Sequence, residues 1–326
     1  MHLGNGAITT ECALLTMGAA ATGLALAAVD LRRKAPGWSQ ASLAAGLGGL
    51  VFAAQAINVT VLPGSSAHLV GGVLLAWTLG PSLGLWTMAI ILSLQALLMG
   101  DGGWMALGAN IFNMGVLPAL LVAGYRRAFA QAPQSALARY GAVGLLAAIA
   151  VPLAAGAIAL ETLAFRSSGE LEGWSRFASQ MLLVHLWIGV GEGLLTAALA
   201  WAFDRITSPA ETPAARPAWL AASAMLGVGL ALVVLTLPLA SSLPDGYEAS
   251  AETTGLSVLL AEEASEMSSL GAWTVAAAER QNRIVERIAG ILPSEQLLVA
   301  TATLLTAGAT LLVATGLARV PVPVRR

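Results

Sequence analysis

The chain has 326 residues, of which 57% are hydrophobic and 10% are charged, and its mean hydropathy is +0.78. Soluble domains carry about 25% charged residues, so most of this chain is expected to lie in lipid. The net charge of -2 excludes a strongly basic nucleic-acid-binding protein. The single cysteine, Cys12, excludes an intramolecular disulfide and a thiolate zinc cluster.

Nine segments are candidate transmembrane helices, because a crossing needs about 20 mostly apolar residues. The third is shorter than a full crossing. Only Gly80 and Pro81 separate it from the fourth, and proline interrupts a helix, so a re-entrant hairpin is the alternative to two crossings. We therefore predict an all-α polytopic membrane protein whose segments lie near 10–30, 40–61, 67–80, 82–99, 104–125, 138–165, 178–203, 218–240 and 297–318.

Positive charge indicates the orientation, since Lys and Arg near the ends of spans collect in the cytoplasm. The first nine residues carry no basic side chain, so a cleavable signal peptide is not expected and Met1 is expected to be retained. We predict that the N-terminus lies outside and the C-terminus in the cytoplasm. This topology puts eleven of the sixteen Lys and Arg residues inside: Arg32, Arg33, Lys34, Arg126, Arg127, Arg139, Arg205, Arg216, Arg319, Arg325 and Arg326.

Two composition shifts divide the chain. Residues 204–217 contain three prolines and are typical of a cytoplasmic linker. They separate a predicted seven-helix body, residues 1–203, from a two-span appendage, residues 218–326. Within the appendage, 241–296 forms an acidic outside loop, which either attracts cations or is a solvated connector between two spans.

His2 is a candidate metal ligand because of its position in the chain. A histidine at position 2 places the terminal amine, its own amide nitrogen and its imidazole Nδ1 on one short segment. These nitrogens form a flat tridentate chelate, and tetragonal nitrogen donors suit Ni(II) or Cu(II). The alternative is a histidine with no ligand role.

His68 is the candidate fourth donor, because the predicted topology places it on the same side of the membrane as His2. The segment 63–68 is predicted to be a flexible turn that leads into a helix, with Ser65 or Ser66 as its N-cap. The alternative is an interfacial histidine that is hydrogen-bonded to backbone.

Several polar residues lie within the predicted spans, where they need partners. Asn110 and Asn113 are three residues apart, and His185 and Glu192 are seven apart, so each pair shares a helix face. They either orient metal ligands or join helices by hydrogen bonds. A third interpretation is a stand-alone carrier or channel, whose path would use Glu161, His185 and Glu192.

Sequence motifs of common enzymes are absent. The chain has no G-x-x-x-x-G-K-[ST] for ATP hydrolysis and no H-E-x-x-H of a metalloprotease. No G-x-S-x-G nucleophile elbow stands out either. We therefore expect a transport subunit rather than an enzyme.

Several stretches carry a family resemblance: the Met1-His2 start, residues 65–72, 95–103 and 107–114, and His185 with residues 188–193. They resemble the substrate-binding membrane component of the cobalt and nickel energy-coupling factor transporters, the CbiM/NikM family, over about residues 1–203. Residues 241–248, with Pro244, Asp245 and Gly246, look like the motif of the small CbiN/NikN component. The chain would then be a fusion of both.

The resemblance implies that Co(II) or Ni(II) is the transported substrate and that no cofactor is needed. The Met1 amine, the His2 amide and imidazole, and the His68 imidazole would bind the metal. A membrane coupling (T) component and two cytoplasmic ATPase subunits would drive release across the bacterial inner membrane, without a nucleic-acid partner. The residues that would orient these ligands are Ser66, Asn110, Asn113, His185 and Glu192.

Overall fold

The computed structural model describes residues 2–131, 135–165, 171–207, 217–256, 269–292 and 294–319. Within these ranges, seven helices are long and apolar enough to cross a membrane. The chain is therefore a multi-pass, all-α membrane protein, which confirms the predicted class. The seven are Thr10–Lys34, Pro81–Met99, Leu107–Ala128, Ala136–Leu163, Gly173–Thr207, Ala218–Leu239 and Glu295–Arg319.

The elements follow the chain in a simple order, with two π-helical turns continuing α4 and α5. In the first half they are α1 (Thr10–Lys34), α2 (Trp38–Gln55), β1 (Val59–Leu62), β2 (Ser65–Ala67), α3 (Gly72–Leu79), α4 (Pro81–Leu94, then the π turn Gln95–Met99), α5 (Leu107–Ile111, then the π turn Phe112–Val116) and α6 (Leu117–Ala128). In the second half they are α7 (Ala136–Leu163), α8 (Leu171–Thr207), α9 (Ala218–Thr236, then the 3₁₀ turn Leu237–Leu239), α10 (Gly246–Thr254), α11 (Ser269–Ile291) and α12 (Glu295–Arg319).

Two of the nine predicted segments are not among the spanning helices of the described chain. The third segment forms α3, which has 8 residues. At a rise of 1.5 Å per residue this is about 12 Å, too short to cross. The segment as a whole still extends from the β-hairpin to Ser82, which bonds to Asp30 at the other end of the bundle, and α3 and α4 pack together on either side of Gly80. The second segment forms α2, an 18-residue helix whose polar ends lower its mean hydropathy.

Helix α2 lies between the two halves of the chain. It packs against both α9 and α12, so the two C-terminal spans enclose it. The contact is close: a Cβ atom at Gly46 would lie 2.5 Å from the carbonyl oxygen of Ala222. Small residues permit such backbone contact between membrane helices. The predicted linker lies mostly outside the described residues, in 208–216.

The two ends of the bundle differ in chemistry. At one end, Asp30 of α1 accepts from Ser82 of α4 at 2.5 Å, and Arg139 of α7 pairs with Asp204 of α8 at 3.0 Å. Residue 2, the β-hairpin and α10 lie at the other end. Between the ends the outer helix faces expose leucines, as expected of a surface in contact with lipid.

Candidate metal centre

The N-terminal segment folds back into the bundle end opposite the basic residues. Leu3 is fully buried, and its backbone is fixed on both sides by Asn110 at the end of α5. The Leu3 amide donates to Asn110 Oδ1 at 2.9 Å, and Asn110 Nδ2 donates to the Leu3 carbonyl at 3.1 Å. Gly103 also donates its amide to that carbonyl, at 2.9 Å. These bonds hold residue 2 against the loop 100–103.

His2 and His68 are brought together, as the predicted site requires. Their rings stack with centroids 5.2 Å apart and an interplanar angle of 23°. His2 is 8% exposed, whereas His68 is partly buried. Met1, the other predicted ligand, lies outside the described residues. The two imidazoles are 66 positions apart in sequence, yet they lie side by side at the end of the bundle that holds the β-hairpin.

Both rings are kept neutral near pH 7. Burial lowers the pKa of His2, although the charge of Asp101 acts in the opposite direction. Burial lowers the pKa of His68 to about 4. His68 Nδ1 donates to the Leu69 carbonyl at 2.9 Å, which leaves the lone pair on Nε2. A neutral imidazole with a free lone pair is the form that binds metals.

The backbone after His68 is held by side chains from two helices, α8 and α2. Glu192 of α8 accepts the amide hydrogens of Val70 and Gly71 at 2.9 and 2.8 Å. Gln55, at the end of α2, donates Nε2 to the Val70 carbonyl at 2.7 Å. Gly71 adopts a positive φ of 74° at the N-cap of α3. Together these contacts fix the position from which His68 is presented.

The β-hairpin corrects one expectation. Ser65 or Ser66 was predicted as the N-cap of a helix, but both lie in β2, where Ser66 is opposite Thr60. The reason is that residues 59–61 are β-branched and the following Pro-Gly favours a turn, so an antiparallel pair forms. The Ser66 hydroxyl donates instead to the Leu243 carbonyl at 2.6 Å, and its amide donates to the Pro244 carbonyl at 2.8 Å.

The loop motif Pro244, Asp245 and Gly246 therefore lies beside the two imidazoles. Asp245 caps α10, accepting the amide hydrogens of Tyr247 and Glu248 at 2.8 and 2.9 Å. With Glu248 it forms a reciprocal capping box. The motif comes from the C-terminal half, so both halves of the chain contribute to this end of the bundle.

His185 supports this loop. Its Nδ1 donates to the Met181 carbonyl at 2.7 Å, and its Nε2 is buried without a hydrogen-bond partner among the described residues. A Cβ atom at Gly246 would lie 2.8 Å from His185 Cε1, so only glycine permits this approach. His185, His68 and Asp245 line one small cavity.

Asn113 has a different environment from Asn110, although the two share a predicted helix face. Its Nδ2 donates to Glu161 of α7 at 2.7 Å. With Glu192 it lines a small cavity deeper in the bundle. Asn113 thus joins two helices, whereas Asn110 holds the N-terminal segment.

An open cleft of about 460 Å³ leads to His2. Four carboxylates line it, from Asp101, Asp245, Glu248 and Glu252, together with His2 itself. Asp101 Oδ1 lies 3.1 Å from His2 Nδ1. The negative charge of these groups favours cations in the cleft.

Side chains alone do not complete a metal site. Among the described residues, no group of three or more His, Cys, Asp and Glu side chains is arranged to hold a metal ion. A site at the two imidazoles therefore needs backbone or terminal nitrogens as further donors.

The sequence analysis assigned no role to Gln55 and Gln95. The signal that could have identified them is a polar residue within an apolar segment.

Several known transport proteins are similar to this chain. A putative metal transport protein of Haloquadratum walsbyi is 37% identical over 147 residues, which is 45% of this chain and 64% of that protein. A putative fused nickel transport protein NikMN of Archaeoglobus fulgidus is 48% identical over 67 residues, 21% of this chain and 23% of the relative. The fused nickel transport protein NikMN of Rhodobacter capsulatus is 27% identical over 206 residues, 58% of this chain and 57% of the relative. The aligned regions thus span less than two thirds of these relatives.

The fold has a solved counterpart. A crystal structure of a truncated transition metal transporter matches with a TM-score of 0.54 and 27% identity, covering 63% of this chain and 99% of that one. Residues 2–210, more than half of the sequence, match the family described as the cobalt uptake substrate-specific transmembrane region. The chain therefore belongs to the CbiM family.

Proposed function

We propose that the chain is the substrate-capture subunit of an ATP-driven importer for Co(II) or Ni(II). The metal is held by the Met1 amine, the His2 amide and imidazole, and the His68 imidazole. The observation that carries the proposal is the stacked pair of neutral imidazoles, with centroids 5.2 Å apart, at the end of an acidic cleft. Nitrogen donors of this kind suit tetragonal Ni(II) and related ions.

Nickel and cobalt relatives support the choice of cargo. Relatives in Archaeoglobus fulgidus and Rhodobacter capsulatus are named fused nickel transport proteins, and one in Thermosediminibacter oceani is named a cobalt transport protein. The same nitrogens serve both ions, so the proposal covers either metal.

The proposed domain division is a body of residues 1–203, a linker of 204–217 and an appendage of 218–326. The appendage contributes the loop motif, which is bonded to β2, and two spans that enclose α2. The names of the fused relatives support its assignment as a CbiN/NikN-like part.

The chain is proposed to lie in the bacterial inner membrane, with its N-terminus outside and its C-terminus in the cytoplasm. The basic residues at the bundle end away from His2 support this orientation. A membrane coupling component and two cytoplasmic ATPase subunits would supply the work, since the chain itself has no nucleotide-binding motif.

Two variants test the terminal chelate. His2→Ala, or one residue added before Met1, should abolish high-affinity Ni(II) and Co(II) binding by purified protein. The first change removes the imidazole, and the second converts the Met1 amine into a peptide nitrogen. The matched control is one residue added after Arg326, which should retain affinity. The measurement is competition with a metallochromic chelator, alongside size-exclusion chromatography to verify folding.

Full affinity in the N-terminally extended protein would contradict the proposal. Metal uptake into vesicles that contain this chain without any ATPase would contradict the proposed partnership and favour a stand-alone carrier.

A further inference from the structure

A buried amide side chain lies on the inner face of α11, a helix of the appendage. Gln281 is 1% exposed, whereas its neighbours Asn282 and Arg283 are exposed to solvent. Four residues further on, Val285 is half-buried on the same face, which packs against the π turn Gln95–Met99. A buried amide is unfavourable unless its polar atoms find partners, so the bonds of Gln281 identify what this face contacts.

All four hydrogen-bonding positions of the Gln281 amide are used. Nε2 donates to the carbonyls of Ala96 and Gly102 at 2.9 and 2.8 Å. Oε1 accepts from Asn5 Nδ2 at 2.7 Å and from the Trp104 amide at 3.0 Å. Backbone carbonyls can only accept, so they fix the direction in which the amide faces. Gln281 therefore joins the π turn after α4, the loop that follows it and the N-terminal segment at one point.

Asn5 carries this attachment to the segment that bears His2. Its Oδ1 accepts from the Met105 amide at 3.2 Å, which leaves its NH₂ group to face Gln281. The two backbones are also in contact, since a Cβ atom at Gly103 would lie 2.3 Å from the Asn5 amide nitrogen. Asn5 is three residues from His2, so its attachment limits where the N-terminal segment can move.

The loop that Gln281 holds is rich in glycine. Residues 100–103 have the sequence Gly-Asp-Gly-Gly, and the φ of Gly102 is 87°. Glycine has the greatest backbone freedom, so the conformation of this loop depends on its contacts. Asp101 in the loop lies 3.1 Å from His2 Nδ1. Holding the loop therefore also holds this carboxylate beside a proposed metal ligand.

We propose that Gln281 is a positioning residue for the metal centre: it fixes the N-terminal chelate against the loop 100–103, so that α11 slows the release of Co(II) or Ni(II). Gln281 lies outside the proposed set of metal ligands and acts through Asn5 and the loop. A segment that is already ordered loses less entropy when the metal binds, which favours affinity. This inference rests on the proposed function, because it concerns the same metal.

Hydrogen exchange of the metal-free, full-length protein in detergent tests the attachment itself. Peptides that cover residues 2–6 and 100–106 should exchange slowly in the unaltered protein. Gln281→Leu removes all four bonds at similar side-chain size, so both peptides should exchange roughly tenfold faster. Peptides from α7 are the internal reference, because a general loss of stability would raise exchange there as well.

The release of Ni(II) tests the positioning role. After loading, an excess of chelator is added and the dissociation rate is measured. Gln281→Leu should release Ni(II) about tenfold faster, the lower end of what the outer hydrogen-bond partners of metal ligands contribute. Asn282→Leu is the matched control, because it makes a similar change at an exposed amide one residue along. It should retain the exchange and the release rate of the unaltered protein.

Asn5→Ala tests the same attachment from the other side. Because Asn5 and Gln281 bond to each other, the double variant should lose less Ni(II) affinity than the product of the two single losses. Losses that simply multiply would contradict an attachment through this pair. Asn5→Ala also provides the test if Gln281→Leu does not fold.

Unchanged exchange of residues 2–6 in Gln281→Leu, or an unchanged release rate, would overturn the positioning role. Equal effects of Asn282→Leu would overturn it too, since they would arise from α11 in general. Failure of the unaltered protein to bind Ni(II) would overturn the proposed function instead. The exchange of the metal-free peptides would then still decide whether Gln281 holds the N-terminal segment.

Discussion

Glu192 shows how a single buried carboxylate can fix the backbone beside a proposed metal ligand. Its two oxygens accept the Val70 and Gly71 amide hydrogens, at the N-terminus of α3, just after His68. A negative group at a helix N-terminus is favourable. The carboxylate therefore holds the backbone of a proposed ligand segment to α8.

Replacing Glu192 with Gln should destabilise the protein and weaken metal binding. The amide has one acceptor instead of two, so one buried backbone N–H loses its partner, at a cost of about 1–3 kcal/mol. The measurements are the free energy of unfolding in detergent and the Ni(II) affinity.

Glu161→Gln is the matched control, because its amide oxygen can still accept from Asn113. Its Ni(II) affinity should stay at the level of the unaltered protein. Equal affinities of the Glu192→Gln variant and the unaltered protein would show that this carboxylate does not position His68.

At the scale of elements, the sequence predicted most helices and none of the strands. Long apolar segments such as α7 are set by the need to satisfy the backbone in lipid, so composition alone reveals them. The hairpin of β1 and β2 consists of short segments, and its third partner is the Pro244 carbonyl, which is distant in sequence. The β-branched residues and the Pro-Gly turn favour this pair, but strands of 4 and 3 residues are too short to be recognised without that distant contact.

The candidate metal centre could likewise be predicted only where its atoms are close together in sequence. His2 could be recognised because its chelating atoms lie within one residue of the terminus. Gln55 and Gln95 could not be assigned, because the meaning of each amide depends on a partner from another helix. The π turn at Gln95–Met99 also changes the helix face on which the residues after Gln95 lie, and no residue type marks it in advance.

Packing of α2 gives a prediction at this scale. Gly46→Val should lower stability by about 1–3 kcal/mol, since the added atoms would overlap the backbone of α9 at Ala222. The loss of stability is measured as a lower midpoint of thermal unfolding of the detergent-solubilised protein.

Gly227→Val is the matched control in α9, because no atom lies within 4 Å of its Cβ position. The midpoint of thermal unfolding of this variant should stay close to that of the unaltered protein. Equal shifts in the two variants would contradict the packing of α9 against α2.

At the scale of the whole molecule, the proposed site is built from residues of both halves of the chain. The C-terminal half supplies Asp245 and Glu248 to the cleft, and its Gln281 bonds to Asn5 in the N-terminal segment. The N-terminal half supplies both imidazoles. The metal centre is thus proposed to be covered by the appendage on the outer side, while the basic end of the body faces the ATPase partners.

The most direct test is X-ray absorption at the nickel edge of the purified, Ni(II)-loaded protein. The account predicts four nitrogen neighbours in a planar arrangement, with outer scattering from two imidazoles, one of which disappears in His68→Ala. A six-coordinate site dominated by oxygen, or a planar site with unchanged imidazole scattering in His68→Ala, would contradict it.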